Sequence, residues 1–173
     1  MGLDSGLTLR IPRARDKSSS YSFEIIYFRK CYSLCMEILD LWRKYKEDNN
    51  LTTEWDGYLW KLKTKPDNVS AHPIFYDIGD ILVKTYSKIF KEYPENFEND
   101  TIWDIGSYGR QILGAVNQVS LLIMFLEKRI DFADFIEGLT LDEKEQEYID
   151  KYIIVHEEEW NFDNLIFEWY YSF

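Results

Sequence analysis

Histidine and cysteine are nearly absent, with two of each in 173 residues. His72 and His156 stand far apart, no HExxH or CxxC occurs, and a structural zinc site therefore has no ligand set. Cys31 and Cys35 lie four apart in a helical pattern. That spacing suits two reduced, buried side chains and suits a mutual disulfide poorly. Without a disulfide framework the chain reads as the product of a reducing compartment. A GxSxG elbow is missing, and neither cysteine has a basic neighbour that would lower its pKa. Two histidines leave a Ser–His or Cys–His triad open, but nothing nominates one. Gly106-Ser-Tyr-Gly109 lacks the spacing and the lysine of a Walker loop. No catalytic residue, metal or cofactor is predicted.

Targeting signals are also missing. The start shows no positive-then-apolar leader pattern, and Gly6 stands where a myristoylation site needs Ser or Thr. The longest near-apolar run, Ile112 to Leu126, contains Asn117, Gln118 and Ser120 and is short for a bilayer. Asn68-Val-Ser70 and Asn99-Asp-Thr101 match the glycosylation triplet but carry no meaning without a leader. A cytoplasmic protein is expected.

Basic charge is scarce where it would matter for nucleic acid. The net charge is −11, and its placement is uneven. Residues 1–66 hold 12 Lys/Arg against 9 Asp/Glu, and residues 67–130 hold 6 against 9. Residues 131–173 hold 2 against 13, so the excess sits in the last quarter. Direct nucleic-acid binding needs cationic surface to displace counterions and is not expected. A basic protein partner is compatible with this charge.

What is present is apolar and aromatic residue, at 46% and 17% of the chain. That is far too rich for disorder, and the length fits a single domain over residues 1–173. Ser107 to Lys128 predicts one long helix, apolar on every side from Leu121 to Leu126, around which the remainder packs. Leu7, Leu9 and Ile11 alternate with Thr8 and Arg10, predicting a strand over 6–12. Arg13 to Ser20 reads as a polar loop. Phe28, Cys31, Cys35, Ile38, Leu39 and Trp42 predict a helix over Ser22–Lys46, capped by Ser22 and broken at Glu47 to Asn50.

Period two returns over 57–64, with Tyr58, Trp60 and Leu62 on one side, predicting a second strand. Pro66 to Pro73, with His72, reads as a loop. Ile78, Ile81, Leu82, Tyr86, Ile89 and Phe90 predict a helix over Asp77–Tyr93, followed by an acidic connector over 95–103. Tyr76-Asp-Ile-Gly79 and Trp103-Asp-Ile-Gly106 each read as an aromatic staple with an Asp cap, rather than as a repeat. A short helix over Phe132–Ile136 ends at Gly138. Thr140-Leu-Asp-Glu143 is a capping box for a helix whose inner face carries Leu141, Tyr148, Ile149, Tyr152 and Ile153. Leu165 to Phe173 alternates and is rich in aromatics, which favours a strand over 165–172. The predicted fold is α+β and mainly helical. Helices surround the 107–128 helix, and a small antiparallel sheet joins strands near 6–12, 57–64 and 165–172.

Two groups of residues are candidates for function. Glu157, Glu158 and Glu159 precede Trp160 and Asp163, combining steering charge with an aromatic anchor, as a protein-binding surface requires. A solvated helix end explains the same residues, and a cation site built on those carboxylates is a further option. Arg110, Gly114, Asn117 and Leu121 share one stripe of the long helix, with Asp104 just before it. Asp104, Arg110 and Asn117 would form a small pocket or a structural ion pair at the helix start. No His follows Arg110 at the spacing of a HEPN-type ribonuclease, so that class is not expected.

Met1-Gly-Leu-Asp4 ahead of an alternating strand, Tyr27-Phe-Arg-Lys30, and an aromatic-rich terminus resemble small phage and bacterial proteins. Those proteins commonly begin MGLDMYL and carry a YWRK-like element. Ser5-Gly-Leu7 replaces MYL here, and Phe28 replaces the Trp. The resemblance covers about a fifth of the chain and implies a phage or bacterial cytoplasmic protein, without implying an activity.

These residues predict a non-enzymatic acidic interaction protein, an inhibitor or immunity-type protein occluding a basic partner. A nuclease or a nucleic-acid-binding protein would be such a partner. The alternatives are a small enzyme or ligand-binding protein using Asp104, Arg110 and Asn117, and a structural or oligomerising module.

Overall fold

The computed structural model describes the backbone of residues 4–16, 18–49, 53–55, 59–63, 73–92 and 103–172. It describes the side chains of 4–16, 18–44, 74–92 and 109–171. The His72 loop, the connector as far as residue 102, the ends of the 57–64 strand, Met1 to Leu3 and the Asp104 side chain lie outside the described residues.

The architecture is α+β and mainly helical, as predicted. Its sheet is larger than predicted, with five antiparallel strands among the described residues in the order Ser20–Arg29, Asp4–Pro12, Ile166–Ser172, Leu59–Lys63, Thr53–Trp55. β1 (Asp4–Pro12), β4 (Leu59–Lys63) and β5 (Ile166–Ser172) are the three read from alternation, and they lie side by side at the centre. The two unpredicted strands, β2 (Ser20–Arg29) and β3 (Thr53–Trp55), are the edges. Leu7 stands opposite Trp169, and Leu9 opposite Phe167. These pairs bury the inward positions of both strands.

β2 corrects the predicted helix over Ser22–Lys46. Its register with β1 passes from Leu7↔Ile26 to Thr8↔Glu24, leaving Ile25 unopposed in a bulge. Ile25 and Ile26 are both buried, so strict alternation is broken in the sequence. Phe28 and Cys31 then mimic a helical step across the sharp junction at Lys30, whose φ is 60°. The helix α1 begins only at Tyr32 and runs to Asn49, past the predicted break. Leu34, Cys35, Ile38, Leu39 and Trp42 form its buried face.

α2 (Pro73–Glu92) starts four residues earlier than predicted, with Pro73 at the first position, where a missing N–H costs nothing. α3 (Trp103–Leu126) is the long helix. Both YDIG and WDIG segments lie inside these helices, so neither is a cap. α3 is also not wrapped on all sides. Ile112, Ala115, Val119, Leu122 and Leu126 are buried, whereas Arg110, Leu113, Asn117 and Ser120 face solvent. By length and composition, Gly109–Leu126 could cross a membrane; here it packs against α2, the short helix Phe132–Gly138 and β2.

Lys128, at φ 60°, closes α3. The Lys128 N–H donates to Phe125 O at 3.0 Å and the Arg129 N–H to Met124 O at 2.9 Å, satisfying carbonyls the helix leaves open. α4 (Phe132–Gly138) is capped by Asp131, which accepts from the Asp134 N–H at 2.8 Å. α5 (Glu143–Ile149) is capped by Asp142 rather than Thr140. Thr140 and Leu141 stay outside the helix, and Leu141 packs against the core. α5 widens into a π-type turn over Asp150–Ile154, and two 3-10 turns lead into β5.

The helices cover one face of the sheet. Phe75 of α2 meets Phe167 edge-on at 4.9 Å, and the Tyr171 hydroxyl donates to the Cys35 carbonyl. Burial pushes the Cys31 thiol up to about 12 and that of Cys35 to about 11, so both are inert packing groups. On the opposite face, Ser22, Glu24 and Tyr27 are exposed. Gly6 sits there beneath the Tyr170 ring. A Cβ at Gly6 would strike the Ile26 carbonyl oxygen and come within 2.9 Å of Tyr170 Cε1. Backbone cannot yield as a side chain can, so Gly6→Ala is expected to cost about 2 kcal/mol. Urea denaturation should show this as a lower midpoint with an unchanged slope.

Candidate interaction surface

The predicted partner site is partly consumed inside the fold. Glu157, Glu158, Glu159 and Asp163 are exposed, but Trp160 is only 5% exposed, which corrects its role as a free anchor. The Trp160 indole N–H donates to Tyr152 O at 3.0 Å, and Arg13 lies over the ring at 4.4 Å. Trp160 itself pairs with Arg13 in an antiparallel bridge. Glu159 pairs with Arg13 at 3.5 Å, and its carbonyl accepts from the Ala14 N–H. The acidic segment therefore straps the β1–β2 loop, leaving Glu157 and Glu158 as its outward charge. His156, Glu158 and Glu159 approach one another closely enough to share an ion, but all three are exposed.

Of the second predicted group, the Asp104 side chain lies outside the described residues. Arg110 and Asn117 do share a stripe of α3, as the spacing required, but the stripe faces solvent. An open depression lies elsewhere, on α5, along Leu141, Glu143, Gln146, Glu147, Asp150 and Lys151.

A third arrangement was not legible in the sequence. On the uncovered sheet face the Tyr170 hydroxyl donates to Glu24 Oε2 at 2.6 Å, and the Tyr27 hydroxyl donates to Asp4 Oδ1 at 3.0 Å. Where β2 meets α5, the Tyr21 hydroxyl donates to Glu145 Oε1 at 3.0 Å. Tyr21 also stacks on Tyr148 at 4.7 Å, and Tyr148 meets Tyr152 at a tilt at 4.8 Å. Three tyrosine–carboxylate pairs thus run from the sheet face to a short ladder of rings, with Tyr27, Tyr148 and Tyr152 open to solvent.

Burial raises the Glu24 carboxyl above its usual range; the Tyr170 hydroxyl opposes that, and the charges of Glu145 and Asp4 add to it. Burial, then the hydrogen bond to its carboxylate, raises both Tyr21 and Tyr170, so their hydroxyls remain donors. Glu168 is nearly buried on the same face, but Arg10 already neutralises it at 2.8 Å. Among the described residues, Glu24 and Asp4 each accept a hydrogen bond from a tyrosine hydroxyl. Phenol rings beside carboxylates suit cations chemically, since an ammonium or guanidinium group would meet both charge and π-face. The predicted helix over Ser22–Lys46 hides the strand that carries Glu24, so nothing in the sequence brings Glu24 beside Tyr170.

Comparison of the chain with protein-family models, curated proteins and solved structures finds no match.

Trp160→Ala should behave as a core lesion rather than a binding lesion. A loss of about 3 kcal/mol is expected, with the Arg13 strap loosened. Calorimetry measures the first, and amide exchange at Ala14 and Asn161 reports the second.

Proposed function

We propose that this chain is a non-enzymatic acidic interaction protein, working in the cytoplasm, that occludes a basic protein surface. An inhibitor or immunity-type role against a nuclease or nucleic-acid-binding protein fits that chemistry. The observation that carries the reading is the outer-face cluster in which the exposed Glu24 carboxylate accepts from Tyr170 and Asp4 accepts from Tyr27, with partial desolvation and the charges of Glu145 and Asp4 raising the Glu24 carboxyl. Groups that cost the free fold stability and gain a partner's charge on binding are characteristic of interaction sites. Glu157 and Glu158, outward on their turn, add long-range attraction for the same partner. A pocket enzyme has less support, since Arg110 and Asn117 face outward.

Glu24→Gln separates the two roles. A carboxyl raised above 4.5 in the fold gives stability that is complete below 4.5 and lost as pH rises through the raised value. Glutamine still accepts from Tyr170 and abolishes that loss. The variant should therefore melt higher than wild type at pH 7, with the gap closing below pH 4.5. The same variant should bind a Lys/Arg-rich peptide more weakly, most visibly at low salt. A variant less stable at pH 7, with unchanged peptide binding, would contradict the reading.

A further inference from the structure

α2 and α3 carry a second, separate surface. α2 buries Ile74, Phe75, Ile78 and Leu82, and packs Ile81, Tyr86 and Ile89 against the core beside them. Yet Tyr76, Val83 and Phe90, seven residues apart, remain 43%, 49% and 48% exposed. Residues seven apart lie almost above one another, so the three form a straight apolar seam. The seam borders α3. A Cβ at Gly79 would touch Val119 at 3.5 Å, and Gly79 lies between the buried face of α2 and the seam. On α3 the same side carries Leu113, Val116 and Ile123, exposed or half-buried. The two packed helices thus carry apolar residues on their exposed sides.

We propose that this α2–α3 face packs against the same face of a second copy of the chain. Charge identifies the occupant. The flank of α2 carries Asp77 and Asp80 in its first half and Lys84, Lys88 and Lys91 in its second, all exposed. A two-fold axis near Val83 sets two α2 helices antiparallel and seam to seam. Each acidic half then faces the basic half of the other copy, as an isologous interface requires. Tyr76 of one copy meets Phe90 of the other, and Val83 meets itself. The mixed, self-complementary charge here contrasts with the acidic tyrosine surface, which would repel a second copy. Asp77 and Asp80 beside the seam disfavour a lipid surface.

The test is the mass of the full chain by sedimentation equilibrium over a concentration series. A concentration-dependent rise from 20.8 kDa to twice that mass is expected. Val83→Glu, at an exposed position, should hold the mass at the monomer value with unchanged circular dichroism. Lys84→Glu with Lys91→Glu should weaken the dimer by roughly tenfold or more. Adding Asp77→Lys and Asp80→Lys to that chain should restore it, because the axis pairs each half with its opposite. Three results would overturn the proposal. They are a monomer at all concentrations, a dimer indifferent to Val83→Glu, and a monomer that co-floats with anionic phospholipid vesicles through this seam. None of them bears on the acidic surface, whose peptide binding is read separately.

Discussion

The pairing of β1 with β5 is the constraint on which the rest depends. It places Asp4 to Arg10 beside Ile166 to Ser172, so the two ends of the chain form the middle of the sheet. Trp169 and Phe167 stand across from Leu7 and Leu9 on the inner side, and all four are fully buried. Burial of each such side chain stabilises the fold by roughly 1.5–3 kcal/mol. A chain without its final strand would leave β1 paired on one side only and expose the apolar face of α1 and α2. Contacts of this sequence separation form late and slowly, because loop closure precedes any gain from packing.

That one pairing also builds the outer face. The Ser5 hydroxyl donates to the Tyr170 carbonyl at 2.8 Å, fixing β5 against β1, while Gly6 leaves room for the Tyr170 ring above it. The ring lies across β1 and its hydroxyl reaches Glu24 on β2. A tyrosine on one strand, a glycine on the next and a carboxylate on the third thus form one unit. Helices fill the inner side, so chemistry open to a partner is left to the outer side and to α5.

Much of the fold was legible. Alternation located β1, β4 and β5 because each has one face in the core, and the helices announced themselves by apolar spacing. Errors came where a local irregularity imitates another period. The bulge at Ile25 and the turn at Lys30 made a strand and a helix read as one helix. Asp142 rather than Thr140 caps α5, a two-residue difference that spacing does not resolve. Periodicity correctly placed Arg110 and Asn117 on one face but did not say which way that face points. Trp160 looked free because its covering groups, Arg13 and Tyr152, come from elsewhere in the chain. The tyrosine–carboxylate surface was invisible for the same reason: Glu24 and Tyr170 are 146 positions apart.

Carboxyl-carbon NMR during titration with a Lys/Arg-rich peptide tests the central claim most directly, because it reports each carboxylate separately. The acidic tyrosine surface predicts that Asp4, Glu24 and Glu145 shift first, with Glu24 titrating at lower pH once the peptide is bound. Shifts confined to Glu157, Glu158 and Asp163, with Glu24 unmoved, would contradict it.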